Sequence, residues 1–170
     1  RVFALLAILS FAQDVAADRR FTELGTGRGL EATVVPSMLI DRDGFLWVGS
    51  REGLFRYDGF QATPFLPDPD RPGRISDVDV RSLFQGRDGA PWVSTNTGGL
   101  NRRDPGTGLF TQHHHDSADP GSLSDASVYG VAEDAGGKLW VGTQKGLNRL
   151  DADGRSFTRY FHRRGEPGSL

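Results

Sequence analysis

Three consecutive histidines, His113-His114-His115, are the residues whose type points most directly to chemistry, because imidazole is a common metal ligand. Neighbouring side chains of a strand point to opposite faces, so at most His113 and His115 could share one ion, and outer-strand packing is the competing reading. Asp41-Arg42-Asp43-Gly44 gathers oxygens as a calcium loop does, but the next positions that would need carboxylates hold Trp47 and Val48. A turn shaped by aspartate side chains bonding to backbone N–H groups accounts for the same residues. Arg56, Arg102 and Arg149, with Asn101 and Asn148 beside the last two, recur after a Gly-Leu pair. Planar guanidinium groups at repeating positions could line a channel and meet an anionic ligand. Alternatively each arginine pairs with the aspartate that follows it, Asp58, Asp104 or Asp151. No set of residues combines nucleophile, base and orienting group outside the repetition, so no catalytic residue, no metal site and no cofactor is expected, and the ligand-binding residues are left unknown.

The elements that must position these residues come from a repeat of about 45 residues. Asp41 to Asp58, Gly86 to Asp104 and Glu133 to Asp151 align with one another. All three tryptophans, Trp47, Trp92 and Trp140, occupy one repeat position, at separations of 45 and 48 residues. Gly53, Gly99 and Gly146 recur with Leu54, Leu100 and Leu147 beside them, and Asp58, Asp104 and Asp151 close each core. These twelve are the structural repeat positions. Between the cores, Pro120-Gly121-Ser122-Leu123-Ser124-Asp125 matches Pro167-Gly168-Ser169-Leu170, with Pro72-Gly73-Arg74-Ile75-Ser76-Asp77 a looser copy.

Each unit reads as four short strands. In the third, Val128–Glu133 alternates apolar with small or polar residues, a glycine turn follows, Leu139–Thr143 is a heavily buried inner strand, and Leu147–Leu150 and 156–161 complete the set. Pro91, which has no N–H for a ladder, belongs at a strand start or edge. The predicted fold is all-β: a partial β-propeller of about three four-stranded antiparallel blades within a longer repeat array, with blade cores around 34–66, 78–115 and 126–162. One such sheet cannot hide both faces from water, so three blades alone are expected to be poorly stable.

Composition agrees. There are 23 glycines and 9 prolines, too many for a helical bundle. A formal charge of -2, with 20 basic residues scattered among 22 acidic ones, offers no basic face, so nucleic acid is not an expected partner. Cysteine is absent, which removes disulfides, thiolate metal sites and a cysteine nucleophile. At the N-terminus, an apolar run over residues 2–12 leads to Val15-Ala16-Ala17 and then the charged Asp18-Arg19-Arg20. That order suits a signal peptide over residues 1–17, truncated at its start, with 18–170 forming the incomplete propeller. An uncleaved anchor is the alternative, and both place the remainder in the periplasm or beyond. Starting without Met and stopping inside a repeat motif, the sequence is expected to be an N-terminal fragment.

The core Asp-Gly-x-Leu-Trp-Val-Gly-Thr-x-x-Gly-Leu-Asn-Arg-x-Asp and its Asp-Pro-Gly-Ser-Leu-Ser linkers resemble the two-component regulator propeller repeat over about residues 30–170. The resemblance implies a periplasmic sensory propeller at the N-terminus of a bacterial inner-membrane signalling protein. The rest of such a chain would span the membrane and carry a histidine kinase or diguanylate cyclase output, which this segment lacks. The partner would be a small molecule or a periplasmic protein. A secreted propeller enzyme acting on polysaccharide and a pure protein interaction platform are the competing functions, since fold alone does not separate them. Ala90-Pro91, Ser94, Ser50 and Phe55 depart from the repeat pattern.

Overall fold

The computed structural model describes residues 29–170, so the leader expected over residues 1–17 lies outside the described residues. Period-two alternation broken by glycine and aspartate turns produces strands of four to six residues. The first unit holds β1 (Ser37–Ile40), β2 (Leu46–Gly49), β3 (Leu54–Tyr57) and β4 (Ala62–Phe65). The second holds β5 (Val80–Gln85), β6 (Pro91–Thr95), β7 (Leu100–Arg103) and β8 (Phe110–His113). The third holds β9 (Val128–Glu133), β10 (Leu139–Thr143), β11 (Leu147–Leu150) and β12 (Phe157–Tyr160). Each unit is one antiparallel meander in sequence order, so the described fold is all-β: three four-stranded blades of a partial β-propeller. Pro91 is the first residue of β6, the position its missing N–H requires.

The first strands of adjacent blades pack together, β1 on β5 and β5 on β9, as strands nearest a propeller axis do. The tryptophan strands are therefore second from the axis. Leu139–Thr143 is thus an inner strand of its sheet, flanked by β9 and β11.

Two buried clusters fill the junctions between blades, and the second is the first shifted by one repeat. Trp47, Leu54, Ile75, Val80, Val93 and Phe110 join the first two blades. Trp92, Leu100, Leu123, Val128, Val141 and Phe157 take the same positions between the second and third. Ile75 and Leu123 belong to the linkers, so each linker residue is a core residue. Trp140 is only half-buried, unlike Trp47 and Trp92, because no described blade covers its face.

The repeated glycines exist for a close approach. A Cβ on Gly99 would overlap the carbonyl oxygen of His113, and one on Gly146 would overlap that of Tyr160. Gly99 also has a φ of +82°, which L side chains disfavour. Gly99→Ala is therefore expected to cost about 1–3 kcal/mol, read from thermal unfolding of the full chain; an unchanged melting temperature would show that the outer strand yields freely.

Candidate functional site

The three blades carry the same turn with one exception. In the first, the Asp41 carboxylate accepts the N–H groups of Asp43 (3.0 Å) and Phe45 (2.9 Å) through one oxygen and the Trp47 indole N–H (2.7 Å) through the other. In the third, Asp134 accepts from Gly136 and Lys138 (both 2.9 Å) and from the Trp140 indole (3.0 Å). The second blade has Gly86 at this position, and Asp88 takes over part of the task by accepting from Ala90 N–H (2.9 Å). The Trp92 indole N–H has no acceptor among the described residues. It lies 3.4 Å from where a Cβ on Gly86 would stand.

A second exception adjoins the first. Between blades one and two, the Arg103 guanidinium lies 5.4 Å from the Trp47 ring and 6.0 Å from Phe65 and covers that junction. Burial, and then the like charge of Arg56, lowers the pKa of Arg103. The equivalent residue of blade three is Leu150, which carries no such head. A cleft of about 870 Å³ opens between blades two and three, lined by Trp92, Arg102, His113, Glu133, Lys138 and Arg155 among others. Arg102 bonds the Asp88 carboxylate at 2.6 Å. Burial opposes ionisation of Asp88, but that bond and the Ala90 N–H outweigh it and hold the carboxyl below its usual range. On the far wall Asp153 is held down to about 2, chiefly by the hydroxyl and N–H of Ser156 and the N–H of Arg155.

His113 ends β8 and stacks on Trp92 with ring centroids 5.8 Å apart, while its edge meets Phe157 of the next blade at 5.4 Å. Phe65 and Tyr160 hold the same place on Trp47 and Trp140. His114 bonds Gln112 (2.9 Å) and His115 bonds the Leu123 carbonyl (2.6 Å), so the three rings serve separate neighbours. Among the described residues no group of three or more His, Asp or Glu is placed to hold a metal.

His113 is 7% exposed, and its Nε2 is buried without a partner. Burial lowers its pKa; the Arg155 backbone opposes this, while Arg102 and His114 add to it. The neutral ring is thus favoured by the fold. Its stabilising share is complete above the ordinary imidazole pKa of ~6.5 and is lost as the pH falls from there towards the lower folded value. Melting temperatures of the full chain at pH 7.5 and 5 should differ less in His113→Phe, which copies Phe65 of the first blade. An equal difference in both proteins would remove His113 from the acid response.

The other repeat residues build the blades. Asn101 and Asn148 are fully buried and bond the linkers, and Phe55 fills their position in blade one by packing with Val48 and Ala62. Asp58 and Asp104 cap the turns after them, through Phe60 and Gln61 and through Gly106 and Thr107. Among the described residues Arg149 alone forms an ion pair with the aspartate that follows it, Asp151 at 3.5 Å, while Arg56 and Arg102 act on Asp58 and Asp104 by charge at longer range. Arg102 bonds Asp88 and Arg56 lies over Phe45 at 4.6 Å, although all three arginines stand across the strand pair from a tryptophan. The sequence reading missed the cleft. Its signals, Gly86 for Asp and Leu150 for Arg103, stand in the aligned repeats but acquire meaning only once blades two and three are seen side by side.

Repeated four-stranded sheets stacked by tryptophan junctions define the chain as part of a β-propeller. The family model of the two-component regulator propeller matches residues 29–52 and 122–145. No curated protein matches the chain. Among solved structures, the extracellular domain of a hybrid two-component system from B. thetaiotaomicron is 27% identical with a TM-score of 0.74, over 82% of this chain and 20% of that one. Virginiamycin B lyase from Staphylococcus aureus (18%, TM-score 0.56, 75% and 41% coverage) and PorZ of Porphyromonas gingivalis (21%, 0.56, 69% and 17%) share the fold alone. Two stretches of the chain are thus similar to the two-component regulator propeller repeat. The chain spans about a fifth of the B. thetaiotaomicron domain that it resembles.

Proposed function

We propose that this chain is a sensory region of a bacterial transmembrane signalling protein, exported to the periplasm, where its propeller binds a small molecule or a periplasmic protein and the change is passed across the membrane. The observation that carries this reading is the 27% identity, over most of the chain, to the extracellular domain of a hybrid two-component system. The described residues support binding rather than turnover: the cleft offers unpaired donors and paired charges, with no nucleophile held by a base. The segment itself is non-catalytic in this reading, and the output lies elsewhere in the protein.

Two measurements test it. Alkaline phosphatase joined after Leu170 is expected to be active, because that enzyme matures only outside the cytoplasm; inactivity of a stably produced fusion would refute export. The full-length protein in lipid nanodiscs is then screened for small molecules that raise its melting temperature and alter its phosphorylation or cyclase output. A compound that is bound and chemically converted would instead favour the secreted-enzyme reading.

A further inference from the structure

Because the blades are copies of one another, a missing group in one is defined by the group present in the others. A carboxylate meets the tryptophan indole at 2.7 Å in the first blade and 3.0 Å in the third. In the second, Gly86 supplies none, and Trp92, 4% exposed, keeps an unpaired N–H facing the gap. That N–H is left to solvent at the cleft, where an acceptor arriving from outside can take the place of water. The gap opens into the cleft of about 870 Å³, a size in the range of small-molecule sites. His113 brings a second unpartnered nitrogen to the same walls.

Charge narrows the class. The lining holds five cationic side chains against four carboxylates. The two carboxylates nearest the gap are already neutralised: Asp88 by Arg102 at 2.6 Å, Glu133 by Arg87 at 3.3 Å. One further negative charge balances the cleft. We infer that the junction of blades two and three binds a small organic carboxylate, whose carboxyl group stands where Asp41 and Asp134 place theirs and accepts the Trp92 indole N–H. This rests on the sensory reading and assigns it a site and a ligand class.

The full chain is titrated with acetate, succinate and benzoate, and with the matching amides, while the three indole N–H resonances are followed by NMR. Trp92→Phe, which keeps an aromatic ring but loses the indole N–H, assigns the Trp92 signal. At least one carboxylate is expected to move that signal alone, and to bind at least tenfold more tightly than its amide and than it does to Trp92→Phe. Gly86→Asp supplies the carboxylate from within the chain. The added Cβ meets the flexible end of Asp88 at 2.8 Å and lies 3.4 Å from Trp92 Nε1 and 3.6 Å from the Glu133 carboxylate, so the variant is expected to fold, with some loss of stability from the neighbouring carboxylates, while binding is abolished. Carboxylates that leave the Trp92 signal unmoved, amides that bind equally well, or full binding by a folded Gly86→Asp would each overturn the inference. A ligand that alters signalling output while Trp92 stays silent would overturn this site and leave the sensory reading standing.

Discussion

Trp47→Ala is expected to destabilise the full chain by about 3–5 kcal/mol, the usual cost of truncating a buried aromatic, whereas Trp140→Ala costs about 1–2 kcal/mol. The two residues share one repeat position and one hydrogen bond, so the difference isolates packing. Trp47 is 1% exposed, lies 5.3 Å from Phe65, and sits beneath both Arg56 and Arg103. Trp140 touches Tyr160 at 5.5 Å but has no following blade over it among the described residues. Chemical denaturation of both variants decides the point. Equal losses would mean that Trp140 is covered in the whole protein as fully as Trp47, and the difference read here would vanish.

Most of the blade was legible because its determinants are local. Leu139–Thr143 and Leu147–Leu150 follow from alternation and glycine turns, and both strands run over the residues so read. The tryptophan period located the blades along the chain. What could not be read was anything set by one blade acting on the next. Pairing of the arginines with Asp58, Asp104 and Asp151 was one reading of the repeat; the register sets all three against a tryptophan, and what each then meets differs by blade: Phe45 for Arg56, Asp88 for Arg102 and Asp151 for Arg149. Burial of Trp140 likewise depends on a neighbour and not on its own repeat. The cleft has the same origin, since it arises from a glycine on one blade and a leucine on another.

The linkers show how a repeated length of chain between sheets becomes part of the core, and they give the second large effect. Asn148 is fully buried on β11. Its carbonyl oxygen accepts the Ser124 N–H at 2.8 Å, and its amide donates to Ser124 Oγ at 2.9 Å and to the Val141 carbonyl at 3.1 Å. Asn101 makes the same bonds to Ser76 and Val93 one repeat earlier. Each amide thereby seats the linker residue before its serine, Leu123 or Ile75, in the preceding junction. Asn148→Ala leaves the Ser124 N–H without its acceptor in a site closed to water and takes one bond from the Val141 carbonyl and one from Ser124 Oγ, which keeps Thr143 Oγ1 at 2.7 Å, so a loss of about 2–4 kcal/mol is expected. Ser124→Ala removes one of the same partners. The double variant should therefore lose less than the sum of the singles, with a coupling of about 1–2 kcal/mol measured by denaturant unfolding. Strict additivity would mean that the amide and the linker act independently, and that Leu123 is held by its apolar contacts alone.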